Sequence, residues 1–270
     1  MDMIDKCGRM LEISLAEIEL EKNPFASGGF GSIHMAKWRK ENVVVKIIKA
    51  NSDEEKQAVK CEANLTLRLN HPNVIRLFGV TRVKHNKFGI VMEKAEHGSL
   101  DMWIGKMEVG KLTKIALGII DGLKYVHSQK VIHRDIKPKN VLMFGPTEDM
   151  VPKIADFGGA KVIQSRVTKR SKFGDDAYMA PEVRLYCQYG FAADIYSLAM
   201  TLFEMFNEQL GSRSSEEVKR FLMGVYGGRI GEIPRSCKVP ECLHDVIKRG
   251  WSEKPNERPT LCEYYSTLQG

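Results

Sequence analysis

Several things are scarce or missing in this 270-residue chain. No uninterrupted apolar run approaches the ~18–20 residues needed to span a bilayer. The nearest, "DIYSLAMTLFEMF" at 194–206, is too short and carries Asp194 and Glu204. The opening "MDMIDKCGRMLEI" places acids early and has no apolar signal-peptide core. The six cysteines (Cys7, Cys61, Cys187, Cys237, Cys242, Cys262) form no CxxC pair, which favours reduced thiols in a cytoplasmic setting over a disulfide frame or a zinc site. Aromatic residues make up 8% and are not interleaved with basic ones, so the net charge of +7 points to phosphate-bearing or acidic ligands rather than nucleic acid. There are no repeats and no low-complexity tracts. What remains, 43% hydrophobic and 28% charged, is ordinary globular composition, enough for a large core or two lobes, with no membrane insertion expected.

The organisation changes along the chain. Roughly the first 95 residues read as strand-rich with one helix: "VVVKII" (43–48), "NVIRLFGV" (73–80) and "FGIVM" (88–92) are strand candidates bounded by turn residues. Ser52 followed by Glu55 is a capping box, with Asp53 and Glu54 at the positive end of the helix dipole. A helix of about 18 residues should run from there towards Asn70, where "HPN" stops it. After Gly98 the pattern is helical, with Leu112, Ile115, Ala116, Ile119, Leu123 and Val126 at three- and four-residue steps. The expected architecture is α+β: a small antiparallel-sheet lobe with one main helix (about 1–92), a connection at 93–98, and a larger, mainly helical lobe (99–270).

Four stretches carry possible chemistry, and each also has a plain structural reading. In "FASGGFGSI" (25–33), Gly28, Gly29 and Gly31 free the backbone for close approach to phosphate oxygens, or simply make a hairpin turn. The adjoining "SIHMAKW" has the pattern of a strand, not a helix, which excludes a dinucleotide-binding turn, and no Gly-Lys-Ser/Thr is present for a Walker loop. Lys46 inside "VVVKII" is either a solvent-facing edge lysine or a buried cation needing a carboxylate, for which Glu62 is the candidate. In "IHRDIKPKN" (132–140), Asp135, Lys137 and Asn140 lie in one turn between apolar runs. Asp156 sits in "KIADFGGAK". Asn and Asp offer hard oxygens suited to magnesium, and a further carboxylate can orient a hydroxyl, although each alone is commonly a turn residue.

Taken in order, these stretches resemble a eukaryotic protein kinase over essentially the whole chain. The marks are "FASGGFGSI", "VVVK", "HRDIKPKN", "DFG" (156–158) and "APE" (180–182), with Glu62 ahead of "HPN", Asp194 in "ADIYSLAM" and Arg258 in "NERPT". The resemblance implies a bilobal fold with its hinge at 93–98, and ATP and Mg2+ as cofactors. Lys46 would hold the α- and β-phosphates and pair with Glu62. Asp135 would orient the substrate hydroxyl, Lys137 would neutralise the transferring phosphate, and Asn140 and Asp156 would hold the metal. The nucleotide loop would be Phe25, Ala26, Ser27, Gly28, Gly29, Phe30 and Gly31. Ile33 and Leu142 would lie on either side of adenine, with Val44 beside it. Met92 would stand at the gatekeeper position, and Glu93 and Ala95 would offer hinge groups. Glu182 and Arg258 look like a buried structural ion pair, with Asp194 a further structural acid.

"AKWRKENVVVK" and "GWSEKPNERPT" resemble the tyrosine-kinase-like group, most of which modifies serine or threonine; Lys137 agrees. Lys139 stands where many kinases that prefer basic substrates have Glu. The basic segment 159–179 carries Ser165, Thr168 and Ser171 as candidate phosphosites, used by an upstream kinase or by autophosphorylation in trans, with Arg134 as a phosphate partner. Protein substrates are the implied partners. Four positions depart from the family pattern: Ala26 for glycine, Val44 for alanine, Thr66 for Leu or Met, and Asp175 for threonine. Val44 could crowd a nucleotide, and Asp175 could pair with Lys137 or repel Asp135. The alternative function is therefore a weakly active or inactive scaffold.

Overall fold

The computed structural model describes residues 12–28, 31–84, 86–162, 175–185, 190–211, 214–224, 233 and 238–270. The chain divides into two compact units, the first ending at Ala95 and the second running from Glu96 to Gly270.

Among the described residues, the first unit is a six-stranded antiparallel sheet with one α-helix and a 3₁₀ turn at Leu15–Glu17. Its strands are β1 (Ile18–Leu20), β2 (Ala26–Gly28), β3 (Gly31–Trp38), β4 (Glu41–Lys49), β5 (Leu77–Lys84) and β6 (Lys87–Glu93), with α1 (Asp53–Arg68) between β4 and β5. The order is β1-β3-β4-β6-β5, with β2 paired to β3. Central strand β4 is buried on both faces, which is why "VVVKII" reads as a continuous apolar run rather than an alternation. Val43, Val45 and Ile47 pack with Ile13, Ile18, Ala36, Trp38 and Val91 on one face. On the other, Val59, Ala63 and Leu67 of α1 pack against Leu77, Val80 and Ile90. Because successive side chains alternate, Val44 and Lys46 fall on the face that α1 covers. The β3–β4 hairpin turns through Arg39 and Lys40, both at positive φ (51° and 69°), where sequence rules would favour Asn-Gly.

Helix α1 starts with the expected capping box. Ser52 Oγ accepts from the Glu55 N–H at 3.2 Å, and Glu55 Oε2 accepts from the Ser52 N–H at 3.3 Å. It ends at Arg68 after 16 residues, shorter than expected, because Leu69 turns extended (φ −83°, ψ 122°) to bury its side chain. Ser52→Ala is expected to lower stability by about 1 kcal/mol, read as a lower urea midpoint at constant slope. The run at 73–80 also differs from expectation. Val74 and Ile75 are core anchors within a turn, the Val74 N–H donating to the His71 carbonyl, and β5 begins only at Leu77. A short apolar run does not distinguish a strand from a buried turn.

The second unit contains α2 (Val109–Ser128), β7 (Val131–Ile132), β8 (Val141–Phe144), β9 (Val151–Ile154), β10 (Lys161–Val162), α3 (Pro181–Arg184), α4 (Ala192–Met205), α5 (Ser215–Gly224), α6 (Leu243–Gly250) and α7 (Leu261–Gln269). β7 pairs with β10 and β8 with β9, both antiparallel. The apolar stripe of α2 is buried throughout, with the helix packing on α7 and β9. α4 is buried from Ala193 to Met205 and packs on α6, as an all-round apolar helix must. Arg258 forms a two-pronged pair with Glu182, at 2.7 and 2.8 Å, and also donates to the Ala192 and Ser252 carbonyls. Among the described residues, no helix is long and apolar enough to cross a membrane.

Candidate active site

In the first unit, β2 and β3 form the glycine-rich hairpin, with Ala26 opposite Ile33, Ser27 opposite Ser32 and Gly28 opposite Gly31. Gly29 and Phe30 lie outside the described residues. Gly31 has φ 121°, and a Cβ there would stand 2.2 Å from the Ile47 carbonyl oxygen, so no other residue fits without moving backbone. Phe25 is exposed and donates its N–H to the Ile33 carbonyl. Ile33 is opposite Lys46, and Val44 lies between Met35 and Met92 in register, so Ile33, Val44, Lys46 and Met92 share one sheet face.

Lys46 is on an interior strand, which removes the edge-lysine reading. Its Nζ lies 3.1 Å from Glu62 Oε1, the two side chains being 11% and 15% exposed. Thr66, one turn beyond Glu62, is buried yet satisfied, donating its hydroxyl to the Glu62 carbonyl at 2.9 Å. Glu93 is tied to Arg76 twice: its N–H donates to the Arg76 carbonyl, and its Oε1 accepts from the Arg76 N–H. Ala95, half-buried, closes the unit.

In the second unit, "IHRDIKPKN" is shaped from α4. The fully buried Asp194 accepts from the backbone N–H groups of His133 and Arg134 and pairs with His127 Nε2, each at 2.8 Å. Burial works against charge at Asp194, yet the His127 hydrogen bond and charge, with His133 beside it, outweigh burial and lower its carboxyl pKa. The two amides it accepts hold Arg134 at φ 72°, a strained conformation of the kind that collects at functional sites. Arg134 Nε also donates to the Gly159 carbonyl. His133 donates from Nε2 to the Ala155 carbonyl and accepts at Nδ1 from the Asp135 N–H, which ties the loop to the segment leading into Asp156.

Asp135, 4% exposed, is the focus of this loop. Its Oδ2 accepts from Asn140 Nδ2 at 2.7 Å and lies 3.0 Å from Lys137 Nζ; its Oδ1 accepts from the Asp175 N–H at 3.2 Å. The Asp175 carboxylate accepts from the Ala177 N–H at 3.2 Å, capping its own turn. Asn140 Nδ2 also donates to the Asp135 carbonyl, which leaves its side-chain oxygen for another partner. Asp156 takes the left-handed conformation (φ 63°, ψ 69°). Leu142 is half-buried in β8 and bridges to Ser99. The candidate phosphosites Ser165, Thr168 and Ser171 lie outside the described residues.

Within the first unit, a lysine fixed by a carboxylate suits a nucleotide phosphate; within the second, the loop that carries Asp135 offers the Asn140 side-chain oxygen, a hard ligand suited to a divalent cation. Among the described residues, no three His, Cys, Asp or Glu side chains cluster to hold a metal. An Asn–Asp pair suits a cation that shares its remaining sites with phosphate and water.

Sequence reasoning missed His127, the third partner of Asp194, and the pair made by Tyr178 and Glu204. Their only signals were a His just ahead of "IHRDIKPKN" and a second acid, besides Asp194, in an apolar helix.

The family profile described as "Protein kinase domain" matches residues 21–267. The chain is 30% identical over 261 residues to "Probable serine/threonine-protein kinase gdt4" of Dictyostelium discoideum, covering 93% of this chain and 16% of that protein. It is 30% identical over 258 residues to "Serine/threonine/tyrosine-protein kinase HT1" of Arabidopsis thaliana, covering 92% and 65%. With "Mitogen-activated protein kinase kinase kinase 7" of Homo sapiens it shares 32% over 279 residues, covering 97% and 43%. The chain thus spans between 16% and 65% of the length of these curated relatives. Its motifs, its sheet and helical units and the span of this match agree: the chain belongs to the protein kinase domain family.

Proposed function

We propose that the chain transfers the γ-phosphate of ATP, with magnesium, to serine and threonine hydroxyls of protein substrates. The observation that carries this reading is the convergence of Asn140, Lys137 and the Asp175 N–H on the buried Asp135 carboxylate. A carboxylate held from three sides has little rotational freedom, as orienting a hydroxyl at the moment of attack requires. Lys137 beside it supplies positive charge where negative charge develops. When bound, magnesium–ATP supplies the phosphoryl group and spreads its charge. Lys46, steadied by Glu62, would hold its α- and β-phosphates, and Asn140 and Asp156 would hold the metal. Ile33, Val44 and Leu142 would line the adenine, Glu93 and Ala95 would bond its edge, and residues 25–31 would cover the phosphates.

The serine/threonine acceptor rests on Lys137 and on the names of the relatives, one of which also names tyrosine. Activation through Thr168, Ser171 or Ser165 by an upstream kinase or in trans, a cytoplasmic setting, and a kinase domain filling residues 1–270 with its hinge at 93–98 belong to the same proposal.

The test is transfer from magnesium–ATP to casein and to the chain itself, with mass spectrometry of the modified residues. Label on serine and threonine that depends on Asp135 supports the reading; a silent parent that still gains thermal stability from magnesium–ATP points to a scaffold. Asp175→Thr is expected to stay within about threefold of the parent rate, because the link to Asp135 is a backbone N–H and a threonine hydroxyl can also cap the turn. A silent parent awakened by Asp175→Thr would instead make Asp175 a brake.

A further inference from the structure

Near Asp135 the second unit has a partly open cavity of about 90 Å3 whose polar lining, among the described residues, is Asp101, Lys137, Lys139, Asp175, Tyr178 and Glu204. Glu204 projects from α4, is 4% exposed, and accepts a hydrogen bond from the Tyr178 hydroxyl at 2.5 Å. Tyr178 is held at its backbone as well: its carbonyl accepts from Ser197 Oγ at 2.8 Å, and its N–H donates to the Asp175 carbonyl at 3.0 Å. The Asp175 N–H is in turn the donor on Asp135 Oδ1. One hydrogen-bonded path therefore runs from the last turn of a buried helix to the carboxylate at the centre of the candidate site, through a turn of four residues, Asp175 to Tyr178.

We infer that Tyr178 and Glu204 form a positioning pair that keeps the Asp175 N–H on Asp135, and that proton uptake by Glu204 loosens this hold. The inference rests on the phosphate-transfer reading above. A tyrosine hydroxyl bonded to an ionised carboxylate makes a charge-assisted bond about twice as strong as the neutral one that remains after protonation. Burial pushes the Glu204 carboxyl up; the Tyr178 hydrogen bond opposes this, Asp101 adds to it, Lys139 opposes it and Asp175 adds to it, leaving the group at about 7. Among the described residues, Lys137 is the remaining charged group on the cavity wall, and Leu210 and Val218 contribute apolar surface. Above this value Glu204 is charged and the turn is held; as pH falls through it, the proton goes on and the hold weakens.

The experiment compares the full chain with Tyr178→Phe and Glu204→Gln. It measures kcat and the KM for ATP, with magnesium–ATP and casein, from about pH 6 to about pH 8.5. Hydrogen exchange of peptides covering 175–178 is followed in parallel. The parent should lose kcat on the acid side of neutrality while its 175–178 amides lose protection. Glu204→Gln should flatten that limb. Tyr178→Phe should lower kcat by about tenfold, the worth of one hydrogen bond, with the KM for ATP unchanged. Either variant matching the parent in both profile and protection, while remaining folded, overturns the inference and leaves the kinase reading standing. A parent that transfers nothing at any pH overturns the kinase reading and the catalytic role of the pair together; exchange that still follows pH and Glu204 would then identify the pair as a structural latch alone.

Discussion

Asp135→Asn is expected to reduce phosphate transfer by roughly 10²–10⁴-fold, the range for removing a general base, with the fold intact. The substitution is nearly isosteric, but the single side-chain oxygen of asparagine can serve only one of Asn140 and the Asp175 N–H, which bond different oxygens of Asp135, and Lys137 loses its anionic partner at 3.0 Å. An amide cannot take a hydroxyl proton at neutral pH, so the loss should fall on kcat, with the KM for ATP close to the parent value. The comparison that isolates the effect is Lys46→Met. That change strips a cation from β4, leaves Glu62 without the lysine 3.1 Å away, and should raise the KM for ATP as well as lower kcat. Equal kinetic signatures for the two variants would contradict the separate roles proposed for them. Full activity in Asp135→Asn would end the proposal for that residue. Circular dichroism and a thermal melt of each variant establish that the losses are not unfolding.

Arg258→Met is expected to destabilise the protein by about 3–5 kcal/mol, the usual consequence of removing one member of a buried ion pair. The Arg258 side chain is 1% exposed and Glu182 10%, and the guanidinium makes four hydrogen bonds: two to Glu182, one to the Ala192 carbonyl and one to the Ser252 carbonyl. It also lies over the Tyr196 ring at 5.2 Å. Methionine fills much of the same volume but satisfies none of the acceptors, and Glu182 is left as a lone buried charge, which is the dominant cost. The double variant Arg258→Met with Glu182→Leu should therefore recover part of the loss, because the uncompensated charge is gone. Urea denaturation of the parent, both single variants and the double variant measures this coupling. A double variant no more stable than Arg258→Met would mean that the carbonyl contacts, not the charge, account for the loss.

Much of the candidate site was legible because it is written in short segments. "IHRDIKPKN" places Asp135, Lys137 and Asn140 within six residues, and the 3₁₀ turn at Pro138–Asn140 brings the three together locally. The capping box of α1 and the apolar stripe of α2 are also local patterns, each set by helix geometry. Lys46 was ambiguous for a different reason. A lysine in an apolar strand reads the same on an edge or in the centre, and only the pairing of β4 with both β3 and β6 decides. The run at 73–80 was misjudged in extent because burial in a turn and burial in a strand demand the same side chains.

The chain's own order of residues determined the kinase family, the start of α1 and the inventory of groups in the loop at 132–140, since all of these depend on spacing along the backbone. Tertiary structure alone decided how that loop is held. Asp194 reaches His127 across 67 residues and Glu204 reaches Tyr178 across 26. Neither acid in the apolar run of α4 carries a local mark of its partner, because the penalty for burying it is offset only by groups that folding brings to it. The same holds for Asp175. Its identity suggested a charge acting on Lys137 or Asp135; the fold adds a link that the sequence does not mark, from the Asp175 N–H to Asp135, and a bond from the Ala177 N–H to the Asp175 carboxylate. Side-chain chemistry is legible in a sequence, but the direction a side chain faces is set by packing.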